Sequence, residues 1–438
     1  MMINRIKHFI DENQLIKIAS LNSVSVLIRV ISGFITSKLI AIFIGPEGLA
    51  FIGNFRDFIK SGQAFTTLGI NNGIVKYVAE LKSNILELSK VISTAFYLIL
   101  FSVIIISIGV YINSESINDF IFTGQKNYVN IIKLIAISLP FYAFKTFVFS
   151  VLNGLSKFKK ILVINIIAQI VGTVTNSLLI WKFKLEGALV SILLIEIVLF
   201  IILLLSASGV FQYLKLISFR KVNLQGFKNL GAFSIMALFS ATLLPLVMVY
   251  IRNYIILEIG EAQAGFWVAM QRISNYYLMF VTTLITLYIL PRFSQIKTSQ
   301  AFRSEVFSFY KTIIPFFGLG LVLIYILRKF IVNLIFSEEF EPVTELFLWQ
   351  ILGDFIQVLT LVISYQFLAK KMVWHYIIIE SLAILVTYLS SIYFIDYYGL
   401  IGVVMAHFVS YLIHFVILLF VFRKALFGIL PINTTDHD

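Results

Sequence analysis

Long apolar segments follow one another along almost the whole chain, and they constrain its fold more than any other feature. Twelve such segments lie at about 15–44, 49–78, 91–112, 131–153, 161–182, 185–207, 229–257, 263–290, 308–335, 343–369, 374–395 and 400–422. A helix needs about 20 apolar residues to cross the hydrocarbon core of a bilayer. Because backbone groups in that core must be satisfied without water, helices are favoured over open sheets. The sequence therefore predicts an all-α polytopic membrane protein with about twelve transmembrane helices.

Composition agrees with this and excludes several classes of function. Only 13% of the 438 residues are charged, against roughly 25% in soluble domains. The net charge of +12 is scattered between apolar segments and forms no basic recognition face, so no nucleic-acid partner is predicted. There is no cysteine and no G-x-x-x-x-G-K-[ST] loop for ATP hydrolysis. We identify no nucleophile with a base, and we predict a transporter with no catalytic residue, cofactor or metal site.

The distribution of Lys and Arg between the segments predicts the orientation of the chain. Twenty of these residues fall in loops or at helix ends on one side, whereas the other side holds only Lys126, Lys182 and Lys184. Basic residues in short loops stay on the cytoplasmic side, so both termini are predicted to be cytoplasmic, with residues 1–13 as a short lead-in. The longest outer loop, at about 113–130, is too short for a catalytic domain. Function is therefore expected to reside among the helices.

A short internal repeat predicts how the helices are organised. The segment at 42–56 resembles the segment at 257–272. In each copy a long helix ends in a tight turn at a glycine, and the returning helix carries an arginine eleven or twelve residues later. The repeat offset predicts two pseudo-symmetric six-helix lobes, residues 1–210 and 211–438. Both lobes begin on the same side of the membrane, an arrangement that some transporters use.

Basic residues inside the first two helices of each lobe are the main candidates for a binding site. A basic residue at the bilayer centre costs about 2.5–3.5 kcal/mol, so a group of them implies a water-filled cavity or a bound counter-charge. A cationic cavity suits an anionic solute, and guanidinium groups bind phosphate in bidentate geometry. We therefore predict a central cationic cavity. Its candidate substrate-binding residues are Arg29, Lys38, Arg56, Lys60, Arg252 and Arg272.

Acids inside the predicted helices are few, namely Asp57, Glu196, Asp354 and Glu380. Three of them, Asp57, Asp354 and Glu380, are candidates for proton or cation coupling. The alternative role for the intramembrane charges is salt bridging between or along helices, for example between Asp57 and Lys60. His407 and His414 share a face of the last helix, which without further ligands is typical of packing or hydrogen bonding. Pro245 is the preferred site of a bend in the seventh helix.

Several short motifs occur in a fixed order between residues 15 and 425. They include Ser37-Lys38-Leu39, Gly45-Pro46-Glu47-Gly48-Leu49, Asn54-Phe55-Arg56, Val75-Lys76-Tyr77-Val78-Ala79, Leu244-Pro245, Leu290-Pro291, Trp349-Gln350, Gly353-Asp354 and Ala369-Lys370. In order and spacing they resemble the Wzx-type flippases, which are the O-antigen and enterobacterial-common-antigen translocases of the multidrug/oligosaccharidyl-lipid/polysaccharide exporter superfamily.

That resemblance implies a bacterial inner-membrane protein with two six-helix lobes around a cavity lined by helices one, two, seven and eight. It also implies that the protein moves an undecaprenyl-pyrophosphate-linked oligosaccharide, an O-antigen or related repeat unit, from the cytoplasmic to the periplasmic leaflet by alternating access. The implied partners are this lipid-linked substrate, membrane lipid, a polysaccharide polymerase and a chain-length regulator. In one departure, some relatives carry an acid near the position of Asn275, so acid-dependent coupling at that position is not expected here.

Two other functions are compatible with a polytopic helical protein. A multidrug/cation antiporter of the same superfamily should have an acidic cavity, whereas the charges here are mainly basic. A membrane glycosyltransferase, such as a polysaccharide polymerase or ligase, generally needs a substantial outer loop, and the sequence predicts none. The flippase is therefore the favoured prediction.

Overall fold

The computed structural model describes residues 14–123, 127–206 and 214–428, and this part of the chain is helical and contains no strand. The α-helices are α1 (Gln14–Phe43), α2 (Gly45–Thr67), α3 (Asn71–Leu81), α4 (Ile85–Ile112), α5 (Ser114–Phe122), α6 (Val129–Gly154), α7 (Phe158–Ser206), α8 (Leu224–Glu258), α9 (Glu261–Leu284), α10 (Leu290–Gln295), α11 (Ser299–Ile326), α12 (Arg328–Ile335), α13 (Val343–Ala369), α14 (Val373–Tyr398), α15 (Leu400–Val421) and α16 (Arg423–Phe427). A π-helical turn, Ile285–Ile289, joins α9 to α10.

The helices account for every predicted transmembrane segment. Within the described residues, nine are long and apolar enough to cross a membrane. One of these, α7, is broken at Lys184, where φ is 49° and ψ is −123°, so its two arms match the predicted segments 161–182 and 185–207. The more polar second and eighth segments are the helices α2 and α9. The prediction of a polytopic helical membrane protein is confirmed.

Two predicted segments are interrupted by turns. The segment 49–78 is divided after Thr67, because Leu68 and Gly69 adopt the left-handed backbone conformation with φ of 51° and 65°. The segment 308–335 is divided at Leu327, between α11 and α12. Leu68 and Leu327 are themselves apolar, so the long apolar runs used for the prediction did not show either break.

The contacts within the chain divide it into two units. The first comprises Met1–Ile44 and Asn54–Leu246, and the second comprises Gly45–Gly53 and Val247–Asp438. The first nine residues of α2 thus group with the second unit. Within α8 the division falls close to Pro245, the predicted bend. The predicted lead-in at 1–13, the loop residue Lys126 and the predicted lobe boundary between 210 and 211 lie outside the described residues.

In the first unit, α6 lies at the centre of the packing. It contacts α3, α4 and the long helix α7, and α1 packs along α7. The interior is apolar and includes Ile92, Ile99, Ile132, Phe147 and Val151, each at most 1% exposed. Inside a bilayer such contacts hold helices together by van der Waals packing, because lipid tails are as apolar as the side chains.

In the second unit, α13 has the corresponding place. It packs against α9, α11 and α15, and α14 packs along α15. Beyond the end of α15 the rings of Phe302, Phe367 and Phe422 form an aromatic group, with the Phe367 and Phe422 centroids 5.0 Å apart. These ring contacts help to fix the relative positions of helices that also carry polar residues of the second unit.

Both glycine turns of the predicted repeat have a positive φ. Gly45 has φ of 79° between α1 and α2, and Gly260 has φ of 131° between α8 and α9. Glycine adopts such angles at no steric cost. The second copy also contains a close backbone approach, because a Cβ on Gly265 would overlap the carbonyl oxygen of Pro46. A side chain is therefore excluded where the start of α9 meets the start of α2.

Candidate functional site

One side of α2 carries a row of polar side chains. Arg56, Lys60 and Gln63 are spaced at i, i+4 and i+7, so they share a face of the helix. The Lys60 side chain is 64% exposed, and its Nζ lies 2.9 Å from Asp57 Oδ1. Arg56 is half-buried. The salt bridge considered as an alternative for Asp57 and Lys60 is thus present, although the lysine side chain is largely uncovered by protein.

The two predicted cations of α1 lie on different sides of that helix. Arg29 is exposed and Lys38 is half-buried. They are nine residues apart, and at 3.6 residues per turn this separation places them on opposite sides of a straight helix. Thr36, near the side of Arg29, is buried and accepts a hydrogen bond of 3.3 Å from Asn176 on α7.

Arg252 is enclosed by protein. It is only 1% exposed, its Nη2 donates to Gln271 Oε1 at 3.3 Å, and its guanidinium carbon lies 5.3 Å from the centroid of the Trp267 ring. A Cβ on Gly53 would lie 3.1 Å from the same guanidinium group. In this conformation Arg252 therefore supports the packing of α2, α8 and α9. Arg272, one residue after Gln271, is half-buried on α9.

The most concentrated polar cluster in the second unit surrounds Asp354 of α13, whose side chain is 0% exposed. One carboxylate oxygen accepts hydrogen bonds from the hydroxyls of Ser274 and Tyr277 on α9. The other lies 3.0 Å from Gln350 Nε2 and 2.9 Å from His407 Nε2 on α15. Three helices thus converge on one carboxylate, which we call the Asp354 cluster.

A glycine next to Asp354 makes room for the histidine. A Cβ added to Gly353 would overlap His407 Cδ2 and lie 3.0 Å from Nε2. The imidazole therefore lies directly against the backbone of α13. Gly353 explains how His407 reaches the carboxylate across the interface of α13 and α15.

Two further titratable side chains lie near this cluster. The ring of Tyr411, one turn after His407 on α15, has its centroid 4.9 Å from that of the imidazole. Glu380, another of the three predicted coupling acids, is half-buried on α14. Of the predicted coupling acids, Asp354 is thus the one in contact with a histidine.

The first unit contains a second buried polar cluster. Lys145 Nζ on α6 lies 2.5 Å from Glu196 Oε2 on the second arm of α7, and the two side chains are 10% and 16% exposed. Gln63 of α2 donates to Glu196 Oε1 at 3.3 Å. The Lys145 ammonium also lies 4.5 Å from the centroid of the Tyr142 ring. We call this group the Glu196 cluster.

Sequence reasoning identified Asp354 and Glu380 but assigned no site role to Lys145 or Glu196, and it interpreted His407 as a packing residue. Glu196 was recognisable as one of four intramembrane acids, which was a usable signal. The partners were not recognisable, because they lie 51 and 53 residues from their acids along the chain. Among the described residues, no group of three or more His, Cys, Asp or Glu side chains could hold a metal ion.

Comparison with known sequences gives two concordant results. A family model described as "Polysaccharide biosynthesis protein" matches residues 15–297. Curated relatives from Escherichia coli (strain K12) and Shigella flexneri, both named lipid III flippase, are 26% identical over 397 residues, which is 89% of this chain and 94% of theirs.

Solved structures with the same fold are transporters. An inward-facing multidrug resistance MATE family transporter of the MOP superfamily aligns with a TM-score of 0.69 at 13% identity, covering 92% of this chain and 100% of its own. The lipid II flippase MurJ in an inward closed conformation aligns with a TM-score of 0.67 at 16% identity, covering 94% and 90%. At these identities the structural similarity establishes the fold alone.

Proposed function

The chain belongs to the polysaccharide biosynthesis protein family, and from this premise we propose that it is a flippase for an undecaprenyl-pyrophosphate-linked oligosaccharide. The substrate would be an O-antigen unit or a related repeat unit, moved from the cytoplasmic to the periplasmic leaflet of a bacterial inner membrane. The similarity to lipid III flippases over 89% of the chain supports this assignment. No covalent bond is made or broken, so the protein is a transporter and not an enzyme.

The observation that carries the proposal is the exposure of cations inside membrane helices. Arg29 on α1 is exposed, and so is Lys60 on α2. An exposed side chain in a membrane span faces either lipid or a water-filled cavity, and a cation facing lipid is costly. These side chains are therefore expected to face an aqueous cavity. An anionic headgroup bound there would offset their charge.

A pyrophosphate is a suitable anion for this arrangement. Arg56 can bind two phosphate oxygens with its planar guanidinium, and Lys60 adds a point charge one turn away. Arg29, Lys38 and Arg272 complete the proposed substrate-binding set. Arg252 remains in that set as a prediction, and its burial supports a positioning role for the start of α2. The glycan would occupy the aqueous cavity while the polyprenyl chain stays in lipid.

Transport in one direction needs a source of energy, which we propose to be an ion gradient. Asp354 is the strongest of the three predicted coupling acids, because it is fully buried and has a histidine partner. Asp57 already pairs with Lys60, and Glu380 is half-buried on α14. Cytoplasmic termini, alternating access, and contacts with a polysaccharide polymerase and a chain-length regulator remain parts of the proposal.

Arginine substitutions provide the direct test of substrate binding. In a flippase-null strain, Arg56→Ala or Arg272→Ala should abolish surface polysaccharide while membrane abundance stays near wild type. Lysine at either position should rescue display only in part, because an ammonium lacks the two-pronged donor geometry. Surface glycan and protein level are measured in parallel.

Arg328→Ala is the matched control. This arginine donates to the Tyr325 carbonyl at 2.9 Å and lies over the Tyr325 ring, at the start of α12. We expect the variant to display normal glycan. Full display from both Arg56→Ala and Arg272→Ala would contradict a phosphate site, whereas loss of the proteins themselves would indicate structural salt bridges.

A further inference from the structure

A buried carboxylate and a partly exposed histidine lie in contact in the second unit, on different helices. We propose that Asp354 and His407 form a proton path, in which His407 exchanges protons with the buried carboxylate of Asp354. This inference rests on the proposed function, because it names the ion and the residues that would couple to flipping. It assigns a proton-transfer role to His407, which had none.

The route by which a proton reaches Asp354 follows from differences in exposure. The Asp354 side chain is 0% exposed and that of His407 is 23% exposed, with 2.9 Å between Oδ1 and Nε2. The second carboxylate oxygen is occupied by the hydroxyls of Ser274 and Tyr277. Asp354 therefore reaches the surroundings most directly through the imidazole. Histidine is suited to this, because its two nitrogens can accept a proton on one side and release one on the other.

The proton balance of this step is simple. A proton binds His407 Nδ1 while Nε2–H donates to the Asp354 carboxylate. The Nε2–H bond then breaks as an O–H bond forms on Oδ1, which leaves a neutral imidazole and a neutral carboxylic acid. The pair takes up one proton in total. The reverse sequence releases it, and no oxidant, reductant or further reactant is needed.

The imidazole is also held from its own helix. The ring of Tyr411, one turn further along α15, packs edge-on against it with 4.9 Å between the two centroids. His407 therefore lies between the backbone of α13 at Gly353 and the ring of Tyr411.

Two tyrosines are the further titratable groups in contact with the Asp354–His407 pair. Tyr277 on α9 donates to Asp354, and the Tyr411 ring lies against the imidazole. Of these side chains, histidine is the residue type suited to exchange a proton with water near neutral pH.

Gradient-driven flipping in vesicles tests the path. The full-length protein is reconstituted with a pyrophosphate-linked oligosaccharide on undecaprenol, and flipping is measured with and without a pH gradient, as a ratio for each variant. The gradient should stimulate flipping by the wild type. The ratio of flipping with and without the gradient should be at least about fivefold lower in His407→Gln, which lies within the range of typical coupling. The glutamine can still donate to Asp354 but cannot carry a proton at neutral pH.

His414→Gln is the matched control, because it places the same substitution two turns further along α15, at a histidine that is buried. It should be stimulated like the wild type. A second readout that needs no substrate is the infrared carbonyl band of protonated carboxylic acid, followed against pH. The band of Asp354 is identified by its loss in Asp354→Asn. The pH midpoint of that band should change in His407→Gln and stay unchanged in His414→Gln.

The outcomes separate the path from the proposed function. Equal stimulation of His407→Gln and wild type overturns the path, and so does stimulation of the wild type by a sodium gradient alone. An unchanged infrared midpoint in His407→Gln also overturns it. A wild-type protein that moves no lipid-linked oligosaccharide contradicts the proposed function, and in that case the infrared titration still decides the path.

Discussion

The two buried polar clusters lie in different units of the chain and differ in their chemistry. Counting the twelve predicted segments, the Glu196 cluster joins helices two, four and six, and the Asp354 cluster joins helices eight, ten and twelve. In the first, a lysine faces a glutamate at 2.5 Å. In the second, a histidine faces an aspartate at 2.9 Å. Each unit thus brings an acid and a base together between its helices.

Because their bases differ, the two clusters are suited to different roles. Lysine and glutamate ordinarily both stay ionised near neutral pH, so the Lys145–Glu196 pair is suited to a permanent role in holding helices together. Histidine ordinarily changes its charge in that range, so the Asp354–His407 pair is suited to a role that changes during transport. We therefore predict that the Glu196 cluster stabilises the fold and that the Asp354 cluster takes part in transport.

The largest expected effect is on the stability of the first cluster. Lys145→Met should leave Glu196 buried without its partner and cost about 3–5 kcal/mol, whereas the double variant Lys145→Met/Glu196→Leu should recover most of that loss. Membrane abundance and thermal unfolding in detergent provide the measurement. A single variant as stable as the wild type would remove the structural half of the comparison.

A substitution in the Asp354 cluster should lower transport activity and leave the abundance of the protein unchanged. Asp354→Asn retains hydrogen-bonding capacity but removes the charge, and we expect surface polysaccharide to fall by roughly 5- to 150-fold, the usual range of coupling free energies. Glu338→Gln, which alters an exposed acid outside the long helices, is the control and should behave like the wild type. Equal activity in both variants would assign Asp354 to a structural role.

A smaller effect is expected when the imidazole is displaced without changing any titratable group. The methyl group of Gly353→Ala would overlap His407 Cδ2, so the ring must move away from Asp354. We expect the displacement of the ring to cost about 1 kcal/mol of free energy, which corresponds to roughly fivefold less surface glycan. Gly320→Ala in α11 has no atom within 4 Å of the added methyl group and should leave display unchanged. If both variants display glycan equally well, contact between His407 and Asp354 is not required.

Much of the fold was predictable from the sequence because the bilayer leaves few alternatives. Apolar length alone located the helices, and the repeated glycine turns at Gly45 and Gly260 indicated two related halves. The break between Thr67 and Asn71 was not predictable from hydropathy. Nor was the grouping of Gly45–Gly53 with the second unit, since it depends on which helices pack together.

The candidate site was predictable in its types of residue but not in its pairings. Rare intramembrane charges such as Asp354 and Lys145 are visible in any hydropathy profile. Their partners depend on the rotation of each helix about its axis, and short sequence spacing does not determine contacts between distant helices. His407 illustrates the limit. Its contact with Asp354 depends on a different helix, where Gly353 has no side chain to block the imidazole.

The placement of Gly45–Gly53 affects how the chain could be divided. These nine residues begin α2, yet their contacts belong to the second unit. Two half-length polypeptides separated near residue 210 would leave the C-terminal half without the surface that covers Arg252 and Gly265. We therefore expect the C-terminal half to need the N-terminal half, because the start of α2 packs with the second unit. The start of α2 would then resemble the element that is exchanged in a swapped domain.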